Sequence, residues 1–414
     1  YINYLMSSWT KSIFSKNFIN LSLNQGINIV ATLIYTPFLF QTLGDENFGL
    51  INLAFSIIII LSIIVSYGYN LNGPIKIAES EDLETENFII RDILNLRIFN
   101  ALIIFIISTP LIIFFSSDNF CKILIFSFII LLNEALNPLF YLQGKNKIFP
   151  QAVINFFSKF FYIILIYFFV LSSSEAYLAN FFYGLSASLF VFFFWVNHFI
   201  KYRFSKIRVS FTNIKDRINE NFVLFLSSTS THLTLNSALI ILSFFTSNKE
   251  LGRFTLAYKV AFLVRMVPVF FVQSGLQKAS NHYKKSKSDF NNYISKYFNY
   301  GILLTSILAF LTVFFSDFII LIFAGEKIEY SSNILSILSL IPLLAMLNYK
   351  NINYILINDY KAILNKATFY TLFFMLLSSI ILSYHFAGYG LAIALILTEF
   401  FSFFTHSILL KNVR

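Results

Sequence analysis

Polar side chains recur at every fourth position in the first long apolar stretch of the chain, NLSLNQGINIVATLIYTP (residues 20–37). The residues with this spacing are Asn20, Asn24, Asn28, Thr32 and Thr36. A step of four residues advances about 40° beyond a full helical turn, so these groups form a ridge that winds slowly around one helix. Such groups could bond neighbouring helices to one another or could line a hydrated cavity that binds a polar ligand.

A second polar stripe follows in VLFLSSTSTHLTLNSALI (residues 223–240). It contains Ser and Thr at alternating spacings of three and four, and small hydroxylated residues of this kind are typical of helix–helix packing. Asn and Gln are larger and cost more to bury. We therefore interpret Asn24, Gln25 and Asn28 as the lining of a hydrated, substrate-binding cavity.

Charged residues inside apolar stretches are the next candidates, because each costs about 2.5–3.5 kcal/mol to insert into a bilayer and usually serves a function. Glu134 and Lys159 lie on either side of the sequence GKNKIFP and at similar distances from it. On two antiparallel helices they would lie at the same depth, about 13 Å from the inner ends of the two spans. They could form a structural ion pair, or Lys159 could face a substrate.

Lys259 and Arg265 share a later apolar stretch, and Pro268 follows shortly after. Lys259 could extend its ammonium group to the membrane surface. Arg265 is too central for that, and a guanidinium suits bidentate binding of phosphate. We predict that Arg265, with Lys259, binds an anionic ligand.

Three further residues are candidates for coupling transport to an ion: Glu134, Glu399 and His232. His232 could be a proton-linked switch or a satisfied interior histidine. The sequence contains no HExxH motif and no Gly-rich phosphate loop. We therefore expect no catalytic residue, no metal site and no enzyme activity.

The elements that position these residues must be membrane helices. The 414 residues are 57% hydrophobic and only 12% charged, whereas a soluble protein has about 25% charged residues. Runs of about 20 apolar residues, long enough to cross a bilayer, predict an all-α integral membrane protein. The twelve predicted spans are 17–41, 48–72, 92–115, 120–143, 150–172, 176–200, 222–246, 252–277, 290–316, 331–350, 362–386 and 388–410.

The positive charge predicts how these spans are oriented. If the N-terminus is cytoplasmic, 22 of the 30 Lys and Arg residues fall in inner segments and four in outer ones. Basic residues favour the cytoplasmic side, so we expect both termini to be cytoplasmic. The net charge of +10 is then an orientation signal, and no nucleic-acid partner is expected.

An internal repeat predicts two six-helix halves. ENFGLINLAF (46–55) matches KELGRFTLAY (249–258) at Gly49 and Gly252, at an offset close to half the chain. Parallel repeats of this kind occur in transporters. We predict an N-terminal lobe at 1–200, a cytoplasmic linker at 201–221 and a C-terminal lobe at 222–414.

Several of these motifs together resemble bacterial O-antigen and polysaccharide-repeat flippases, which belong to the multidrug/oligosaccharidyl-lipid/polysaccharide exporter superfamily. The shared pattern is present as Gln25, Gly26 and Asn28, then Pro37 and Leu39, then Leu43, Gly44, Phe48 and Gly49, then Tyr67 and Gly68. NPLFYLQGKNKIFPQAVINFFSKFF resembles the family's fourth-to-fifth helix hairpin, with its basic residue at Lys159.

The resemblance implies two lobes around a central cavity, and a function in O-antigen or capsule-type biosynthesis in the bacterial inner membrane. The cargo would be an undecaprenyl-diphosphate-linked oligosaccharide, moved from the inner to the outer leaflet by alternating access. The expected partners are this lipid-linked oligosaccharide, membrane lipids, a polysaccharide polymerase and chain-length machinery. No cofactor is expected, and coupling to a Na⁺ or H⁺ gradient or to the membrane potential is open. The alternatives are a multidrug antiporter for organic cations or a membrane polysaccharide polymerase.

Overall fold

The computed structural model describes residues 2–201 and 214–411, and within them the side chains other than those of residues 2–22, 115, 214–218 and 277. Every regular element in this part of the chain is a helix. The helices are α1 (Ile2–Ser66), α2 (Tyr69–Ala78), α3 (Leu83–Phe115), α4 (Asp118–Ser127), α5 (Ile129–Leu136), α6 (Leu139–Gly144), α7 (Phe149–Phe169), a 3₁₀ turn (Ser173–Glu175), α8 (Ala176–Lys201), α9 (Ile214–Asn236), α10 (Ala238–Ser243), α11 (Asn248–Lys285), α12 (Lys287–Phe314), α13 (Ser316–Ala324), α14 (Glu329–Leu338), α15 (Ile341–Leu347), α16 (Tyr349–Ile357) and α17 (Lys361–Lys411).

Short polar residues mark where several of the long helices begin. The side chain of Ser247 accepts a hydrogen bond from the backbone N–H of Glu250 at the start of α11. Ser286 ends α11 and caps α12 by accepting from Asp289 N–H at 3.0 Å. A side-chain oxygen at this position satisfies one of the backbone donors that the first helical turn leaves without a partner.

The all-α membrane fold predicted from the sequence is confirmed, but the number of spans is not. Within the described residues, nine helical segments are long and apolar enough to cross a bilayer. Two of them each contain two predicted spans, divided by non-helical backbone at Gly44 and at Ala387. The predicted span 222–246 is not among the nine, and it is divided between α9 and α10 at Ser237. Twelve spans therefore stay a prediction.

The chain forms two compact units. The first comprises Tyr1–Leu43 and Leu53–His232, and the second comprises Gly44–Asn52 and Leu233–Arg414. Most of the predicted linker 201–221 lies outside the described residues, and the predicted lobe boundaries stay a prediction.

Each unit has its own apolar core. In the first unit, side chains of α2, α3, α6 and α8 pack together, and Phe140 and Trp195 lie near its centre. In the second unit, α11, α12, α16 and α17 contribute buried residues such as Phe290, Tyr349 and Leu410. Van der Waals packing between these large aromatic and aliphatic groups holds the helices against one another within each unit.

The two matched glycines of the internal repeat meet inside the second unit. A Cβ atom on Gly49 would lie 2.7 Å from the backbone oxygen of Asn248 and 2.8 Å from the nitrogen of Gly252. A Cβ atom on Gly252 would collide with the backbone of Asp45. The contact is reciprocal, because residues 45 and 248 are separated by the same offset as the two glycines. Arg253 adds an ion pair to Asp45 at 2.5 Å.

A polar junction holds the beginning of α9 against α2 in the first unit. The Lys76 ammonium lies 2.7 Å from a Glu220 carboxylate oxygen, and the Asn72 amide donates to the same carboxylate. Next to it, Gly68 allows the backbone of α9 to approach closely, and the rings of Tyr67 and Phe225 stack. Burial raises the pKa of Glu220, but the hydrogen bonds from Lys76 and Asn72 outweigh burial and lower its pKa overall.

We predict that Gly252→Ala destabilises the protein, because the new methyl group collides with the Asp45 backbone. Overpacking of this kind costs about 1–3 kcal/mol. The matched control is Gly26→Ala, whose Cβ has open space within 4 Å. The control should be neutral or slightly stabilising, because Ala favours helix over Gly by about 1 kcal/mol. The thermal unfolding midpoint of the purified protein in detergent is the measurement, and a Gly252→Ala midpoint at or above wild type would contradict the prediction.

We predict a pH-dependent contribution from Glu220. Because its pKa is lowered from the ordinary value of 4.5, the charged form stabilises the fold above that value and the contribution is lost as the pH falls through the lowered pKa. Wild type should therefore unfold at a higher temperature than Glu220→Gln at pH 7, by less than about 1 kcal/mol in stability for such an exposed pair. The difference should close below pH 4.5. The exposed Glu81 provides the control variant, Glu81→Gln, and an unchanged Glu220→Gln difference across this range would refute the prediction.

Candidate functional site

A deeply buried lysine of the first unit lies in an aromatic pocket. Lys159, on α7, is 9% exposed, and its ammonium nitrogen is 3.6 Å from the ring centroid of Tyr183 on α8. The Tyr183 ring meets that of Tyr162 edge to face at 5.3 Å, and Tyr162 meets Tyr35 of α1 in the same way. We call Lys159 with these three tyrosines the Lys159 cluster.

Local helical spacing brings the Lys159 cluster together. Lys159 and Tyr162 are three residues apart on α7, which places both on one helix face. On α1, the Thr32 hydroxyl donates to the Asn28 carbonyl at 2.7 Å and lies 3.2 Å from the Tyr35 hydroxyl. The polar ridge predicted on the first helix therefore continues directly into the tyrosines around Lys159.

Two asparagines of that ridge, Asn24 and Asn28, contact α7. The Asn155 amide donates to the Asn28 side-chain oxygen at 3.1 Å and to the Asn24 backbone oxygen at 3.2 Å. The side-chain oxygen of Asn24 is buried without a hydrogen-bond partner. Gln25 is half-buried. Asn28 therefore takes part in helix–helix bonding, while Asn24 retains an unused acceptor.

An open groove of about 630 Å³ runs between α1 and α7 beside the Lys159 cluster. We call it the α1–α7 groove, and its lining residues are Leu23, Gly26, Ile27, Val30, Ala31, Ile34, Phe156, Lys159, Phe160 and Ile163. Lys159 is the one charged residue among them. The groove therefore combines hydrocarbon walls with a single buried cation.

The ion pair considered between Lys159 and Glu134 is not formed among the described residues. Glu134 instead accepts a hydrogen bond from the Asn70 amide at 3.0 Å. The Asn70 side-chain oxygen accepts from Arg97 at 2.8 Å, and Arg97 also donates to the Asn137 carbonyl at 3.3 Å. Arg97 is fully buried, with its guanidinium 4.9 Å from the Phe140 ring centroid. The two residues do not pair although they lie at similar depths, because Glu134 faces α2 and Lys159 faces α1 and α8.

In the second unit, Arg265 and Glu399 form an ion pair. Both the Nε and an Nη of Arg265 donate to one Glu399 oxygen, at 2.9 and 2.7 Å. Tyr258 and Thr398 line a small cavity of about 50 Å³ beside the pair. Arg265 is therefore already neutralised by the residue that was predicted to be a coupling-ion site, and the ligand-binding roles of both remain predictions.

The other predicted residues lie apart from these pairs. Lys259 is half-buried in the second unit, with its ammonium 5.5 Å from the Phe48 ring centroid. His232 is half-buried in the first unit and lies within electrostatic range of Glu134. Among the described residues, no group of three or more His, Cys, Asp or Glu side chains is arranged to hold a metal ion.

Sequence reasoning missed the partners of the buried cations. Tyr35, Tyr162 and Tyr183 were not singled out, because they are three of 23 tyrosines in the chain. The i, i+3 spacing of Lys159 and Tyr162 was the available signal. Arg97 was recognisable as a charge inside a predicted span, but its bonds to Asn70 and Asn137 require knowledge of the packing.

Comparisons with known proteins agree with the predicted resemblance. A family described as "Polysaccharide biosynthesis protein" matches residues 14–276. A protein of Escherichia coli K12 described as "Putative O-antigen transporter" is 25% identical over 255 residues, which are 58% of this chain and 59% of that protein. A Shigella dysenteriae protein of the same description is 24% identical over 395 residues, covering 93% of this chain and 96% of that protein. The E. coli match thus spans less than two thirds of that relative.

Solved structures share the fold. The lipid II flippase MurJ in an inward closed conformation is 15% identical, with a TM-score of 0.73, and the match covers 96% of this chain and 87% of that one. An inward-facing multidrug resistance transporter of the MATE family, in the MOP superfamily, is 16% identical, with a TM-score of 0.69 and coverage of 96% and 100%. At these identities the likeness establishes the fold alone.

We predict that Glu399→Leu strongly destabilises the second unit, because Arg265 would keep its charge without a partner. Removing one member of a buried ion pair typically costs about 3–5 kcal/mol. The double variant Arg265→Met/Glu399→Leu should recover most of that loss, since it replaces both charges with apolar groups of similar size. Unfolding midpoints of the single and double variants form the test. Additive losses in the double variant would show that the pair is not coupled.

Proposed function

This chain belongs to the polysaccharide biosynthesis protein family, and from that premise we propose that it is a flippase for lipid-linked oligosaccharides. The cargo would be an undecaprenyl-diphosphate-linked repeat unit, moved from the inner to the outer leaflet of the bacterial cytoplasmic membrane by alternating access. It would serve O-antigen or capsule-type biosynthesis. Its relatives are named as transporters, which supports a transport function rather than a polymerase reaction.

The observation that carries this proposal is the buried ammonium of Lys159. It lies within an apolar helical segment and makes no ion pair with a carboxylate among the described residues. Burying an unpaired charge is costly unless an opposite charge arrives to compensate it. A cargo that carries a diphosphate would supply that compensation during its passage.

The remaining polar groups suit the other parts of such a cargo. Asn24 has an unused acceptor oxygen, and with Gln25 and Asn28 it would hydrogen-bond sugar hydroxyls. Arg265 and Lys259 would attract the diphosphate in the second unit, where Arg265 would exchange Glu399 for phosphate. A negative cell interior favours outward movement of each negative charge by about 2.3 kcal/mol per 100 mV.

An organic-cation antiporter is the alternative, since multidrug transporters share the fold. Such a cargo requires carboxylates that are free to bind a cation. The two candidates are already engaged, Glu134 with Asn70 and Glu399 with Arg265. The charge arrangement within each unit therefore favours an anionic cargo.

The test is transport of an undecaprenyl-diphosphate-linked oligosaccharide in vesicles containing the purified protein, measured as access of a glycosidase to the sugar. We predict that Lys159→Met slows transport at least about tenfold, equivalent to about 1.4 kcal/mol, and that Lys159→Arg retains most of it. Lys361→Met is the matched control, because Lys361 is 81% exposed and pairs only with Asp359. Ethidium uptake is measured in the same vesicles. Movement of ethidium without movement of the oligosaccharide would establish the antiporter instead.

A further inference from the structure

We propose that the α1–α7 groove binds the isoprenyl end of the cargo. In this proposal the Lys159 ammonium binds the phosphate, and the groove walls pack against the first isoprene units. This inference rests on the proposed function and adds to it a site for the phosphate–hydrocarbon junction. The ligand class is a polyprenyl phosphate or diphosphate.

The shape and lining of the groove suit a hydrocarbon chain. Its walls are aliphatic and aromatic side chains of residues 23–34 and 156–163, and its volume of about 630 Å³ lies within the usual range of about 300–1,000 Å³ for small-molecule sites. Gly26 adds to the open space of the groove, because it has no side chain and no atom lies within 4 Å of where its Cβ would be. Several wall residues, including Val30 and Phe160, are more than half exposed and would be covered by such a chain.

Lys159 distinguishes this groove from an ordinary lipid-facing crevice. A neutral acyl chain would leave the ammonium without compensation in a low-dielectric surrounding. A phosphate attached directly to the hydrocarbon chain brings the anion and the apolar tail into the groove together. The Tyr183 ring contacts the ammonium through its face, and among the described residues no carboxylate forms an ion pair with its N–H donors.

The depth of Lys159 favours a polyprenyl phosphate over a bulk phospholipid. Lys159 is near the middle of α7, a 21-residue candidate span, about 15 Å from its N-terminus. A bulk phospholipid keeps its phosphate at the membrane surface, where water solvates it. Among the described lining residues, its glycerol and ester groups would find no polar partner other than Lys159. The phosphate that has to reach this depth is that of a lipid being moved across the bilayer.

The test uses the full-length protein in lipid nanodiscs with a polyprenyl phosphate that carries a photoreactive diazirine on its first isoprene unit. We expect cross-links in peptides containing residues 23–34 and 156–163. Unlabelled undecaprenyl phosphate should abolish them, whereas phosphatidylglycerol or inorganic pyrophosphate at the same concentration should not. Equal competition by phosphatidylglycerol would show an ordinary lipid crevice, and equal competition by pyrophosphate would show that the groove contributes nothing. Either outcome overturns the proposal.

Two pairs of variants separate the groove from the cation. Gly26→Phe fills the groove and should lower cross-linking at least about tenfold, a loss equivalent to 1.4 kcal/mol, whereas Leu33→Phe adds an aromatic ring to an exposed position outside the groove and should not. Lys159→Met should lower cross-linking to a similar extent, and Lys159→Arg should retain it. Wild-type cross-linking in Gly26→Phe, with normal unfolding midpoints for both Phe variants, contradicts the proposal.

The same protein preparation distinguishes failure of this inference from failure of the proposed function. Specific cross-linking in the groove without oligosaccharide transport in vesicles would reject the flippase function and leave the binding site intact. Transport without cross-linking in the groove would reject the binding site and leave the function intact.

Discussion

The cost of placing charge inside an apolar helical protein is the constraint on which the rest of this structure depends. Within a membrane there is no water to solvate an ammonium or guanidinium group, so each must obtain compensation from the protein or from a ligand. The described part of the chain contains three deeply placed cations, and each is compensated differently. Arg97 is hydrogen-bonded to Asn70 and Asn137, Arg265 is paired with Glu399, and Lys159 has only the face of a tyrosine ring.

These differences distinguish Arg97 and Arg265, which bond to other parts of the protein, from Lys159, which we propose binds a ligand. Arg97 connects α3 to α2 and, through Asn70, to Glu134 on α5, so it stabilises the core of the first unit. Arg265 connects α11 to α17 in the second unit. A cation–π contact stabilises a desolvated ammonium by about 2 kcal/mol or more, but it supplies no negative charge to neutralise the cation as a paired carboxylate does. The α1–α7 groove, with its apolar walls, is located beside the cation that has the weakest compensation.

Much of this arrangement could be predicted from residue types, because the physics of span length and charge burial acts on each helix separately. The all-α membrane fold, the polar ridge on α1 and the buried positions of Lys159 and Arg265 all follow from local pattern. The partners do not, since Arg265 and Glu399 are 134 positions apart in the sequence. The Lys159–Glu134 pair was inferred from equal depth, and depth leaves the rotation of each helix about its axis undetermined. The predicted count of twelve spans also stays a prediction, because the Ser/Thr-rich segment of α9 and α10 is not among the nine apolar helical segments of the described residues.

The reciprocal contact of Gly49 and Gly252 has a consequence for how such a chain can vary. If two identical half-length chains met across a two-fold axis at this point, each substitution would appear twice in the same interface. A single chain does not have that restriction, and the flanking positions differ in this protein: position 253 is Arg and its counterpart, position 50, is Leu. The two glycines cannot vary in this way, because a Cβ atom at either position would collide with backbone atoms of the other segment. The crossing is thus symmetric in its backbone while its flanking side chains differ.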